Sequence, residues 1–220
     1  MQQTTKPVPP PEFQEGAIAT MDAAGLIGIL KDAASPEFQK AKACMRLGEL
    51  GAKEAVPALA ALLGNEHMGM YARYGLEPIA DPSVDQSLRS ALSKLKGNLL
   101  IGVINSIGKR RDTKAGPALA KMIYDPNAEV AQAAASALGR IGGLSARKDL
   151  LAALSKTSGM TRMIVADAAL SCAEGFLAAG KRDEALALYA SLSAADVPKA
   201  ARLAAMHGVI REETAIGRPR

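Results

Sequence analysis

The sequence predicts an all-α protein, a right-handed α-α superhelix of about five stacked helix pairs. Apolar residues recur at steps of three and four along most of the chain, the spacing of one buried helix face. Gly48, Gly75, Gly108 and Gly139 mark the same phase of successive pairs and lie 27, 33 and 31 residues apart. Aromatic residues make up 3% of the chain and Trp is absent, which indicates a core of Ala, Leu, Ile, Val and Met. Small side chains of this kind suit closely packed helices better than a sheet sandwich.

The segment from Pro126 to Lys156 is the clearest example of a pair. Asp125 and Pro126 signal a helix start, because Asp caps free N–H groups and Pro is tolerated in the first turn. Gly142-Gly143 signals the end of that helix. The apolar stripe of the first helix is Val130, Ala133, Ala134, Ala137, Leu138 and Ile141, and that of the second is Leu150, Leu151 and Leu154. Neither short helix is stable alone in water, so each pair is expected to be buried against its neighbours.

The other elements follow in order along the chain, with Pro near the start of several helices and Gly near their ends. The predicted elements are a capping helix at 17–34, helix pairs at 35–63, 67–95, 99–123, 126–156 and 163–192, and a last helix from about 197 to 210. The last helix is expected to close the stack with its larger apolar side chains inward. Its outward positions are Lys199, Arg202, His207 and Arg211.

These elements form one predicted repeat domain, residues 17–215, between two tails. Residues 1–16 are rich in Pro and are predicted to be a flexible tail, and residues 216–220 a shorter one. The first residues lack the basic and apolar regions of a secretory signal, and no run of 18 apolar residues predicts a membrane span. The N-terminal segment is typical of the start of a mature exported chain or of a trimmed one.

Charge and cysteine content restrict the function only weakly. The net charge of +5 and the pI of about 9.2 are spread over 220 residues, which favours a solvated surface, although a nucleic-acid partner stays open. Cys44 and Cys172 lie on Ala-rich helices in different repeats, so we expect buried free thiols rather than a disulfide or a metal pair.

The pattern EVAQAAASALGRIGGLSARKDLLAAL, residues 129–154, resembles the short HEAT-like repeat of the PBS-lyase type. The match is also good at 35–63 and partial at 99–123, and residues 173–192 are similar to a tetratricopeptide helix pair. The resemblance implies the helical superhelix but no particular task. Ala131 stands where the family usually has Arg, so this repeat lacks the Arg of the family's Asp-to-Arg ladder at that position.

A second resemblance concerns MYARYGLEPIADPSVDQSLRSALSKLKG, residues 70–97, and GVINSIGKRRD, residues 102–112. Both are similar to stretches of exported bacterial HEAT-repeat proteins that are often joined to enzymatic or carbohydrate-associated domains. This resemblance implies an accessory scaffold outside the cytoplasm, periplasmic or secreted, and carries over no catalytic residue.

Two groups of residues are candidates for partner binding. Arg73, Tyr74 and Glu77 belong to a less regular repeat, and either contact a partner or form an ordinary surface ion pair between Arg73 and Glu77. The basic turn, which is Lys109, Arg110, Arg111 and Lys114, either holds phosphate or an acidic partner or is a solvated loop. We expect recognition at these irregular places rather than at the regular pair 126–156.

No set of residues indicates a reaction, a metal site or a cofactor. His67 and His207 are the only histidines, too few for a His-carboxylate iron site, and the seven scattered Phe and Tyr residues form no pocket for an alkylated base. Nucleotide loops and Ser-His-Asp sets are absent from the sequence. The sequence therefore predicts a non-catalytic scaffold that binds a protein or peptide, with two alternatives: a basic solenoid binding nucleic acid or another polyanion, and an accessory domain of a larger exported enzyme. It leaves the oligomeric state open.

Overall fold

The computed structural model describes residues 17–216. The predicted tail at residues 1–16 lies outside the described residues, as does the stretch 217–220 of the second predicted tail. Ile216, which the prediction assigned to that tail, is the last residue of the final helix.

The described residues form twelve α-helices and three short 3-10 turns, and they contain no strand. The helices are α1 (Ala23–Lys31), α2 (Glu37–Leu50), α3 (Val56–Ala61), α4 (Gly69–Leu76), α5 (Pro82–Ala91), α6 (Gly97–Arg110), α7 (Gly116–Met122), α8 (Ala128–Ile141), α9 (Gly143–Leu154), α10 (Gly159–Ala178), α11 (Arg182–Ala194) and α12 (Lys199–Ile216). Helices α2 to α11 make five consecutive pairs, each with a first and a second helix, between α1 and α12. The predicted all-α fold of about five helix pairs is confirmed.

The chain divides between Leu95 and Lys96 into two compact units. Unit 1 contains α1 to α5 and unit 2 contains α6 to α12. The single repeat domain over residues 17–215 stays a prediction.

In unit 1, the first helix of one pair packs on the first helix of the next, α2 on α4, and the second helices α3 and α5 do the same. The helix α1 packs on both α2 and α3 as the predicted capping helix. Helices α2 and α4 meet at two of the repeating glycines. A Cβ atom added to Gly48 would lie 2.8 Å from the carbonyl oxygen of Gly75, closer than real Cβ atoms come.

In unit 2, the first helices α6, α8 and α10 pack in a row, and the repeating glycines again lie at their contacts. A Cβ atom on Gly108 would lie 2.8 Å from Ala137 Cα, and one on Gly139 would lie 2.8 Å from Ala168 Cα. These neighbours are backbone atoms, which cannot turn away as a side chain does. The recurring glycine therefore lets the backbones of successive first helices touch.

Two of the first helices, α2 and α6, end at a left-handed residue. Gly51 ends α2 with φ of 64°, and its N–H donates to the Gly48 carbonyl at 3.1 Å. Arg111 ends α6 with φ of 54° and donates to the Gly108 carbonyl at 3.2 Å in the same way. Arg111 is the only non-glycine residue with positive φ among the described residues. A side chain in this conformation costs about 1–2 kcal/mol, so α6 ends in a strained turn.

The prediction for the last helix is wrong in its buried face. Lys199, Arg202, His207 and Arg211 are exposed as expected. However, the large apolar residues Leu203, Met206 and Ile210 are exposed as well, and the buried residues are Ala201, Ala205 and Gly208. The Tyr189 ring of α11 explains this, because a Cβ atom on Gly208 would lie 2.8 Å from it. The large ring on one helix requires small residues on the other.

Both cysteines are buried free thiols, as the helix patterns predict. Burial raises the pKa of Cys44 to about 12 and that of Cys172 to about 11. Since the thiolate is the reactive form, burial keeps both sulfurs chemically inert at neutral pH.

Candidate binding cleft

An open cleft of about 670 Å³ lies in unit 2, where the C-terminal ends of α6, α8 and α10 come together. The close packing of these three helices, which Gly108 and Gly139 permit, aligns their ends along one side of the unit. The residues that line the cleft are Gly108, Lys109, Arg111, Gly139, Arg140, Ile141, Gly142, Gly143, Ser171, Glu174, Gly175, Phe176, Ala178, Ala179 and Lys181.

Four of these residues are exposed cations, and we call this surface the basic cleft: Lys109, Arg111, Arg140 and Lys181. Lys109, Arg111 and Arg140 lie in or just after the last turn of a first helix, and Lys181 lies between α10 and α11 as the residue that precedes α11. A helix C-terminus carries a partial negative charge of about half an electron, so cations are favoured there. The dipoles of α6 and α8 therefore favour three of the four cations, Lys109, Arg111 and Arg140.

The sequence indicated only half of this set. Lys109 and Arg111 belong to the predicted basic turn, whereas Arg140 and Lys181 were missed, because Arg140 is an isolated charge and Lys181 opens a run of mixed charge, Lys181 to Glu184. The repeat itself contained the signal for Arg140, which directly follows Gly139 as Lys109 directly follows Gly108. Equivalent positions of successive repeats project from the same side of a helical stack, so the repeat register would have placed the two side by side.

The other two residues of the predicted basic turn do not line the cleft. Arg110 is half-buried, and Lys114 is exposed on the 3-10 turn that follows α6. The Asp112 side chain accepts a hydrogen bond from the Lys114 backbone N–H at 3.1 Å and thereby caps this turn.

Glu174 brings one negative charge to the cleft, and its carboxylate is held by side chains of α11 and α12. The Tyr189 hydroxyl donates to Glu174 Oε1 at 2.5 Å, and Arg211 Nη2 lies 3.5 Å from the same oxygen. Burial raises the pKa of Tyr189 above its ordinary value, and the hydrogen bond to Glu174 raises it further. This network connects the edge of the cleft to α11 and α12.

The remaining predicted residues, Arg73, Tyr74 and Glu77, lie on or next to α4 in unit 1. Burial lowers the pKa of Arg73, and the charge of Glu77 opposes that shift. The charge of Glu77 thus acts on Arg73, and the ion pair between them stays an interpretation. Tyr74 is 57% exposed and presents its ring to solvent.

A second groove of about 480 Å³ lies in unit 1 beside α3 and α5 and is lined by small and hydroxylated residues. Ser87 and Ser90 donate their hydroxyl hydrogens to the carbonyls of Ser83 and Gln86, one turn earlier in α5. These donors are thus engaged within their own helix.

His67 contacts a carboxylate of the preceding helix pair. Its Nδ1 lies 3.1 Å from Glu37 Oε1, and both side chains are well exposed. Among the described residues, no three His, Cys, Asp or Glu side chains are grouped closely enough to hold a metal ion. The same part of the chain contains no helix with the length and apolar content needed to cross a membrane.

Comparison with known proteins identifies the repeat. Residues 86–171 match the family model of HEAT repeats, a stretch that contains both complete pairs α6/α7 and α8/α9. This match shows HEAT-like repeats at residues 86–171, in agreement with the resemblance of the sequence there. No curated protein matches the chain.

Solved structures with a similar fold include an engineered protein, which is 17% identical with a TM-score of 0.51; the match covers 91% of this chain and 61% of that one. A chain from the complex of CpcE and CpcF of phycocyanin lyase from Nostoc sp. PCC7120 is 19% identical, over 89% of this chain and 81% of that one, with a TM-score of 0.44. The archaeal HEAT-like repeats protein from Thermococcus onnurineus NA1 is 12% identical, over 96% and 100%, with a TM-score of 0.46. Similarity at these identities concerns the fold alone.

Proposed function

We propose that this protein is a non-catalytic HEAT-like scaffold that binds a protein partner, and that a segment of the partner lies in the basic cleft. The observation that carries the proposal is the convergence of three successive helix ends on one open cleft with four exposed cations. A stack of similar helices presents equivalent side chains in a row, which suits an extended partner segment.

The chemistry of the described residues supports a binding role. The two thiols, which in ionised form are strong nucleophiles, are buried in helix packing and have raised pKa values. Tyr189 is also buried, and its hydroxyl donates to Glu174. The cleft itself is lined by cations, one carboxylate, one exposed serine and glycine-rich turns. Such a lining offers charge and hydrogen-bonding groups for recognition.

Arg73, Tyr74 and Glu77 on α4 are a second proposed contact surface, in unit 1. The exposed Tyr74 ring is the part most suited to a protein partner, since Tyr is enriched at protein interfaces.

The test is an affinity capture from an extract of the source organism, with nuclease-treated and untreated samples analysed in parallel. A double charge reversal in the cleft, Arg140→Glu with Lys181→Glu, is compared with a reversal elsewhere in unit 2, Lys148→Glu with Lys156→Glu. All four side chains are exposed, so both variants change the charge equally without disturbing the core. Tyr74→Ala tests the surface on α4.

We expect the wild type and the Lys148/Lys156 variant to capture the same proteins, and the cleft variant to lose them. Captured material that is released by nuclease would instead support the polyanion alternative. Failure of all forms to capture any protein would contradict the scaffold proposal.

A further inference from the structure

We infer that the basic cleft recognises an acidic peptide segment in extended conformation; this inference deepens the proposed scaffold function and rests on it. The ligand of the cleft must carry negative charge, must donate hydrogen bonds, and must not depend on stacking against aromatic rings. Each requirement follows from a different part of the lining.

The charge of the cleft is positive but moderate. The four cations and Glu174 leave three formal positive charges. The C-termini of α6, α8 and α10 add partial negative charge, and the N-termini of α9 and α11, at Gly143 and beside Lys181, add partial positive charge that offsets part of it. The remaining charge suits a ligand with a few separated carboxylates. It is weak for a nucleic acid, whose binding energy comes mainly from many phosphate contacts.

The end of α8 also offers hydrogen-bond acceptors, whereas several of the last carbonyls of α6 and α10 accept from the turns that follow them. The last four carbonyls of a helix have no partner within it. In α8 the Leu138 carbonyl accepts from the Gly142 N–H at 2.9 Å. The three residues that follow it in α8, Gly139, Arg140 and Ile141, all line the cleft. A peptide supplies one backbone N–H per residue to such carbonyls, whereas a phosphodiester backbone supplies none.

The turns of the cleft leave room for a second backbone. Gly142 and Gly143 connect α8 directly to α9. Their φ values of 69° and 84° are unfavourable for any residue that has a side chain. A Cβ atom on Gly143 or Gly175 would meet no atom within 4 Å, so the space above both residues is open. An extended peptide can therefore approach the main chain closely at these positions.

The lining provides no platform for nucleic-acid bases. Its one aromatic residue is Phe176, which is 3% exposed. Sites that bind single-stranded nucleic acid without sequence preference combine a positive groove with exposed aromatic rings on which bases stack. The basic cleft has the charge without the rings, and this favours the peptide over the nucleic acid.

The experiment measures fluorescence anisotropy of labelled probes titrated with the whole protein at low and at physiological salt. The probes are a peptide of alternating Glu and Ser, the same peptide with Gln in place of Glu, and an oligothymidine of equal charge. The protein forms are the wild type, the cleft variant with Arg140→Glu and Lys181→Glu, and the control variant with Lys148→Glu and Lys156→Glu. Circular dichroism of each form verifies that the helices are intact.

We expect the Glu peptide to bind the wild type and the control variant with similar affinity. Reversal of two exposed charges is expected to weaken that binding by roughly tenfold in the cleft variant. The Gln peptide and the oligothymidine should bind more weakly than the Glu peptide to the wild type, and binding of the Glu peptide should weaken as salt rises.

Three results would overturn the inference: no binding of the Glu peptide even at low salt, equal losses in the cleft and control variants, or tighter binding of the oligothymidine than of the Glu peptide. These results are separate from the capture experiment. If the proteins captured by the wild type are lost with Tyr74→Ala while the Glu peptide fails to bind, the scaffold function stands and the acidic-peptide inference fails.

Discussion

Replacement of Gly139 by Ala tests whether contact between helix backbones holds the first helices of unit 2 together. The new Cβ atom would lie 2.8 Å from Ala168 Cα and 3.0 Å from the Ala168 carbonyl carbon on α10. Because these are backbone atoms, α8 and α10 must move apart to accept it. Overpacking of this kind costs about 1–3 kcal/mol.

A second effect acts in the opposite direction. Ala is favoured over Gly in a helix interior by about 1 kcal/mol, so the net loss in Gly139→Ala is smaller than the overpacking cost. Gly175→Ala is the matched control, because Gly175 lies within α10 and an added Cβ atom there meets nothing within 4 Å. The propensity gain is common to both variants and cancels in their difference. Gly139→Ala should therefore be less stable than Gly175→Ala by about 1–3 kcal/mol.

The assay is thermal unfolding followed by circular dichroism, with urea unfolding as a second measure. For a chain of this size, each 1 kcal/mol corresponds to a shift of roughly 2–4 °C in the midpoint. We expect Gly175→Ala to melt slightly above the wild type and Gly139→Ala below it. Equal midpoints for the two variants would refute the argument that the repeating glycine serves close helix approach.

Three further predictions concern single features of the fold. Arg111→Gly should stabilise the protein by about 1 kcal/mol in urea unfolding, because it relieves a left-handed residue at the end of α6. Cys44 and Cys172 ionise near pH 9.0 when unfolded but at about 12 and 11 when folded, so their contribution to stability is present below pH 9 and is lost as the pH rises toward 11–12. Urea unfolding at increasing pH should show this loss, up to about 1.4 kcal/mol per pH unit for each thiol, and a double Ala variant should show a shallower one. Tyr189→Phe should lower stability by about 1 kcal/mol in thermal unfolding, because it removes the hydrogen bond to the α10 carboxylate.

The helix pairs could be predicted from the sequence because their signals are local. The apolar stripe of α8 and its end at Gly142 depend only on residues within the same short segment. The repeating glycines could be located too, although their purpose could not be derived. Gly139 is explained by Ala168, which lies 29 residues further along and on another helix.

The orientation of α12 could not be predicted, because it depends on one partner side chain. A pattern-based prediction turns Leu203, Met206 and Ile210 inward, since large apolar residues are usually buried. In the structure the Tyr189 ring occupies that space, and Gly208 faces it instead. The size of the side chains on the neighbouring helix α11 decides which face of α12 is buried. The periodicity of the α12 sequence contains no information about those side chains.

The position of the cleft also follows from a relation between repeats. The irregular places in the sequence were expected to recognise the partner, and the regular pair of α8 and α9 was expected to serve only as structure. Yet the close packing of regular repeats is what brings equivalent helix ends together. Arg140 is an isolated charge in the sequence, and it becomes part of a row only because α6, α8 and α10 are packed in register. A regular unit thus contributes to the proposed cleft through its repetition, and a search for local irregularity in the sequence does not find Arg140.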